Sequence, residues 1–186
     1  RQSVDIDGQA NGNSRIRVAH KSGGTASING RRVLSSESTT GRGSRLFVST
    51  SQPRKPGAAP SQILAVDVSS RRWRPIAILP RNQRYHCMEV HGGLLYVAGG
   101  FGQNGERLNS FYAFNEATGI WEDLPPMPQA CTWAASGVIG NELFIAGGLG
   151  VDHQALSTLQ IYDFTTRIRR LGVPLPQAKN CGCGVV

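Results

Sequence analysis

The sequence predicts an all-β fold built from repeated units of four short strands. Three observations predict it. First, landmarks recur every 48 residues: Gly99-Gly100 returns as Gly147-Gly148, Trp73 returns as Trp121, and Asp67, Asn115 and Asp163 fall in step. A fixed period of this size marks stacked supersecondary units. Second, short apolar runs close on glycines, as in Leu94–Gly100 and Glu142–Gly148, a strand signal followed by a breaker. Third, no segment sustains the apolar period of a helix.

The units are uneven along the chain. All thirteen aromatic residues lie at or after Phe47, so residues 1–44 hold none. Such a stretch buries too little apolar surface to offset about 1–2 kcal/mol of backbone entropy per residue. It reads as a disordered tail or linker. Seven basic and three acidic residues give it +4, half of the chain's formal +8. A basic tail can touch an acidic partner or nucleic acid. Nucleic acid is disfavoured, because the stacking rings of a single-strand binder are missing there.

Repeats are expected over 45–186: a degenerate unit at about 45–83, full units at 84–130 and 131–176, and the start of another at 177. Leu46-Phe47-Val48 is the worn first copy of the apolar run. The stretch Gln52–Gln62 reads as an inserted loop, and its Pro53-to-Pro56 spacing suits polyproline II. In the middle unit the strands are expected at about Tyr85–Val90, Leu94–Ala98, Ser110–Phe114 and Gly119–Leu124. Asp67, Asn115 and Asp163 are turn residues whose side chains bond local amides. Leu79-Pro80, Pro126-Met127-Pro128 and Leu175-Pro176 end the units.

The double glycine, the aromatic-to-Trp spacing and the Pro-Met-Pro ending together resemble the kelch repeat, a four-stranded propeller blade. That resemblance implies a kelch-type β-propeller over roughly 45–186. It further implies that the strand preceding the double-glycine strand lies near the propeller axis. Cys87, Ala135 and Cys183 share that place, and all are small, as packing near an axis requires. Trp73 and Trp121 are expected between neighbouring blades, where each ring is worth a few kcal/mol at ~25 cal/mol per Å². Two departures stand out. Arg169 occupies the third Trp position, so that blade packs differently or leaves an outer strand exposed. Cys131 occupies the place where Arg84 keeps the repeat's arginine. Propellers close with about four to eight blades, and this chain supplies about three. A first residue that is Arg and an end within an expected strand favour a truncated parent; self-association is the alternative route to a closed ring.

Chemistry-bearing motifs are sparse. Gly100–Gly105 matches GxGxxG, but a strand rather than a helix follows, so a loop between strands explains it. Cys181 and Cys183 point to one side of a strand without the further ligands of a zinc site. His86 and Cys87 are adjacent on a strand and face opposite ways, which excludes a direct dyad. His20 lies in the tail. No carboxylate pair is placed for acid/base work. No cofactor, metal or catalytic set is expected, and no apolar run reaches membrane-spanning length.

What remains is loop surface, where recognition residues concentrate. The partner-contact candidates are Arg81, Arg84, Tyr85, Asn104, Arg107, Gln129, Asp152, His153 and Lys179. Arg84 with Tyr85 is the first choice, since both types are enriched at interface hot spots. The expected function is protein–protein interaction. Many kelch proteins serve as substrate-recognition parts of cullin-based ubiquitin ligases, and Val66–Trp73 is similar in style to plant F-box/kelch proteins. Kelch propellers also occur in galactose-oxidase-like enzymes and in actin-associated scaffolds. Four irregularly spaced cysteines suit a reducing compartment, cytosol or nucleus.

Overall fold

A computed structural model describes residues 45–50 and 60–180 in full, together with the backbone of four strands before them. The remainder of the tail, with His20, lies outside the described residues. So do the Pro53–Pro56 loop and Cys181–Cys183.

Among the described residues fifteen strands follow one another: β1 (Val4–Asp5), β2 (Arg17–Val18), β3 (Thr25–Ile28), β4 (Arg31–Ser36), β5 (Arg45–Thr50), β6 (Gln62–Asp67), β7 (Trp73–Ile78), β8 (Cys87–His91), β9 (Leu94–Phe101), β10 (Arg107–Asn115), β11 (Ile120–Leu124), β12 (Ala135–Ile139), β13 (Glu142–Ala146), β14 (Leu159–Asp163) and β15 (Arg169–Leu171). Three antiparallel meanders carry the fold, in the orders β3-β4-β5-β6-β7, β8-β9-β10-β11 and β12-β13-β14-β15, and β1 pairs separately with β2. Strand β8 lies beside both β4 and β12. The three inner strands are therefore neighbours, as in adjacent propeller blades.

Within the stretch expected as a linker, β3 and β4 extend the first sheet, with Val33 opposite Val48. An unpaired strand edge presents a row of unsatisfied amides and carbonyls. β4 supplies the pairing that the inner edge of β5 lacks, which composition alone did not reveal.

The 48-residue period is a period of hydrogen bonds. Leu79 donates its amide to the Ser61 carbonyl, Met127 to Asn109 and Leu175 to Ser157. These residues close each blade by pinning the exit chain to the third strand. Cys87 pairs with Ala98 as Ala135 pairs with Ala146, so the two small residues do share one inner-strand place. The turn side chains recur too. Asp67 Oδ1 accepts from the Ser69 amide, Asn115 Oδ1 from Ala117 and Asp163 Oδ1 from Thr165, at 2.8–2.9 Å. A hydroxyl bond from Ser69 holds the Asp67 carboxyl below the usual range, and the Thr166 amide does the same for Asp163.

The double glycines join each blade to the next. Gly100 donates its amide to the Cys131 carbonyl, and Gly148 to the Lys179 carbonyl, both at 2.8 Å. Gly99 sits at φ +64°, and a Cβ there would lie 2.6 Å from the Cys131 oxygen. Gly147, at φ +66°, meets the Lys179 oxygen at the same distance. Only a residue without Cβ lets the following blade come this close.

Aromatic plugs fill the blade interfaces. Trp121 packs tilted against Phe114 at 4.8 Å and donates its indole N–H to the Ile78 carbonyl of the preceding blade. It packs on the cluster of Phe47, Ile63, Leu79 and Met88 that spans the first two blades. Trp73, its counterpart one period earlier, is 38% exposed, because no described strand lies against that side of the first blade. Arg169 takes the third position without disrupting the packing. Its guanidinium lies over Phe111 and Tyr162, at 4.2 and 4.9 Å, and its Nε donates to the Pro125 carbonyl. Pro125 belongs to the preceding blade, so Arg169 makes the contact that Trp121 makes, with a planar cation in place of the indole. Burial pushes its pKa down to about 10.

An ion-pair clamp ties the first two blades at the opposite edge. Arg45 grips Glu116 through two bonds of 2.6 Å, and Arg74 adds a third contact. The Arg45 bond, then the Arg74 bond, hold the Glu116 carboxyl below its ordinary value of 4.5, against an opposing push from burial. A depressed carboxyl contributes stability that is complete above about pH 4.5 and lost as pH falls through its folded pKa. Glu116→Gln is expected to cost about 1 kcal/mol at neutral pH. Its urea midpoint should approach that of the wild type as pH drops toward 3. A difference that stays constant with pH would show that the clamp is not ionic.

Candidate functional site

The rim that carries the β9–β10 loop gathers the strongest constellation. Arg84 and Phe101 exchange backbone hydrogen bonds of 3.0 and 2.7 Å, which holds Arg84 beside the end of β9. Its guanidinium lies over Phe101 at 5.0 Å and over Tyr85 at 5.7 Å. Arg107 opens β10 and covers the same Phe101 ring at 4.7 Å. The Arg107 Nη2 donates to His153 Nδ1 at 2.8 Å; a guanidinium only donates, so this nitrogen must be the unprotonated one. His153 comes from the next blade, as does Trp133, whose ring stands 5.2 Å from Tyr85.

The backbone presents these side chains at a conformational cost. Tyr85 and Trp133 both sit at φ 56°, and His153 at φ 63°. Such conformations cost a bulky residue of order 1 kcal/mol or more and concentrate at functional sites. Each is held by neighbours: Trp133 N–H and Thr132 Oγ1 both donate to the Tyr85 carbonyl. The Tyr85–Trp133 contact is therefore a blade-to-blade contact.

The nine partner-contact candidates separate in the structure. Arg84, Tyr85, Arg107 and His153 converge. Asn104 and Asp152 lie exposed on the two neighbouring loops. Arg81 is exposed in the linker before β8, and the Lys179 side chain is exposed while its backbone bonds Gly148 and Leu156. Gln129 is internal wiring: its Oε1 accepts from Thr158, and its amide and carbonyl bond the Gln160 side chain. Phe101 and Trp133 join the site without having been singled out. Trp133 stands one 48-residue period after Tyr85, a signal that could have found it. The equivalence of Cys131 with Arg84 is corrected: the bridges Arg84–Phe101 and Thr132–Leu149 make Thr132 the counterpart of Arg84. Cys131 matches Gln83 instead, and both are buried.

Near the inner strands, Cys87 donates to the Ala134 carbonyl at 3.8 Å, and buried Glu89 accepts from the Ser136 hydroxyl. Both reach from the second blade to the third. Gly100–Gly105 forms a turn between β9 and β10, closed by Gly102 and Glu106. Among the described residues no three His, Cys, Asp or Glu side chains group as a metal site, and no helix is long and apolar enough to cross a membrane.

The Kelch motif family model matches residues 84–128 and 131–176, the two blades that build this rim. The chain carries kelch repeats. Its fold is that of adjacent blades of a kelch-type β-propeller. No curated protein matches the chain. The solved structure of YjhT is similar to it with a TM-score of 0.60 over 92% of this chain, at 14% identity. At that identity the likeness speaks to fold alone. The kelch chain spans 59% of the length of the YjhT chain.

Proposed function

We propose that this kelch chain is a protein-interaction module whose role is substrate recognition for a cullin-type ubiquitin ligase. The observation that carries the recognition part is the rim itself. Two blades place Arg84, Tyr85, Phe101, Arg107, Trp133 and His153 side by side, and strained backbone holds three of them outward. Arginine and aromatic side chains are the types that dominate binding hot spots. The ligase part is supported by the kelch repeats and by the F-box/kelch style of Val66–Trp73. The proposal takes the chain as non-enzymatic and places it in the cytosol or nucleus, where the buried thiols of Cys87 and Cys131 stay reduced.

The test is made on the full product of the parent transcript, tagged at its own locus. Cullin and its linker subunit are expected to co-purify with it. At least one further bound protein should gain half-life when cullin activation is blocked. Purifications free of cullin, with unchanged half-lives of all bound proteins, would remove the ligase role and leave the interaction module standing.

A further inference from the structure

Among the described residues no carboxylate neutralises the rim arginines. The four ion pairs among the described residues use Arg45, Arg74, Arg167 and Arg170. None uses Arg84 or Arg107. Yet these two guanidinium groups cover one phenylalanine ring, at 5.0 and 4.7 Å, so their charges lie within about 10 Å of each other, roughly one Debye length at physiological salt. Each also buries its Nε donor without a hydrogen-bond partner among the described residues. The carboxylates of the same loops are engaged elsewhere. Glu106 accepts from the Asn104 amide and folds against Gly102. Asp152 accepts from the Gln154 amide. Each carboxylate serves its own turn, and none among the described residues pairs with the two cations.

We infer that the Arg84–Phe101–Arg107 platform binds an acidic segment of a partner protein, with its carboxylates on the two guanidinium groups and an apolar or aromatic neighbour against Tyr85 and Trp133. This rests on the interaction-module reading and adds the chemistry of the partner. Planar guanidinium groups preset on a ring meet carboxylates with little loss of rotamer freedom. The rings alongside offer rigid contact area at low entropic cost. A nucleic acid fits less well. Its backbone needs a track of cations, and here two arginines stand together with Glu106 and Asp152 on the same loops.

The test begins with selection of a random displayed-peptide library on the purified chain. Selected peptides are expected to be enriched in Asp and Glu beside an aromatic residue. The best is then labelled and its binding followed by fluorescence polarisation, with its acidic residues intact or changed to Asn and Gln. The amide version should bind at least about tenfold more weakly. Arg84→Met and Arg107→Met should each weaken the acidic peptide to a similar degree, while Arg72→Met, an exposed arginine of the first blade, should not. The change on the peptide side leaves the fold untouched, so it decides the matter even if an arginine variant unfolds. Equal binding of the acid and amide peptides would overturn the acidic-partner inference and leave protein recognition intact. Failure to select any peptide, or displacement of the peptide by a single-stranded oligonucleotide at lower concentration, would overturn it as well.

Discussion

Gly99→Ala is expected to destabilise the chain by about 3–4 kcal/mol, which at this size lowers the melting temperature by roughly 6–15 °C. Three costs add. A left-handed φ costs an L-residue about 1–2 kcal/mol, and Gly99 sits at +64°. The new Cβ would lie 2.6 Å from the Cys131 carbonyl and 2.7 Å from the Met127 methyl. Side chains can yield, but a carbonyl in the entry segment of the next blade can do so only by moving that blade. The movement stretches the neighbouring bond from Gly100 to the same carbonyl, a further ~1 kcal/mol. Gly119→Ala is the internal control. Its φ is +71°, but nothing lies within 4 Å of its Cβ position, so only the backbone cost of about 1–2 kcal/mol applies. Thermal unfolding of both variants separates the terms. Equal losses would show that blade approach contributes nothing and that the double glycine is a turn device alone.

Trp121→Ala and Trp73→Ala should differ widely although they occupy the same position of the repeat. Trp121 fills the interface between two blades and donates to the Ile78 carbonyl. Its truncation leaves a cavity at the blade interface and removes that hydrogen bond, at about 3 kcal/mol. Trp73 faces no described blade and is 38% exposed, so its loss should cost under about 1 kcal/mol. Denaturant midpoints of the two variants give the comparison. Similar losses would mean that Trp73 is covered in solution, by a further part of the chain or by a second copy.

Most of the framework was legible in the sequence, for a physical reason. Strand pairing and blade stacking repeat with chain length, so the residues they need repeat as well. Gly99 and Gly147, Asn115 and Asp163, Cys87 and Ala135 could all be matched by counting. Arg169 broke the pattern of residue types without breaking the pattern of contacts. It keeps the bond to the preceding blade and replaces the indole by a guanidinium stacked on Phe111 and Tyr162. Counting sees a lost Trp there; only packing shows that the position is still filled. The strands β3 and β4 were missed for a related reason. They hold few apolar residues, and their pairing is set by the open edge of β5 rather than by their own composition.

The rim divides in the same way. The sequence by itself determined that the chain is all-β, that it is built from kelch blades of 48 residues, and that Arg84, Tyr85, Arg107 and His153 are among the loop residues open to partner contact. It could not determine that these residues meet. Arg107 and His153 are 46 residues apart, and Tyr85 and Trp133 are one period apart. Tertiary structure brings them together because adjacent blades present equivalent loops side by side. It also tied Gln129 to Thr158 and Gln160 and brought Phe101 under both arginines. Repeat period is a local, one-dimensional property that composition and spacing record. Contacts between blades depend on the rotation from one blade to the next, and the chain writes that rotation only in three dimensions.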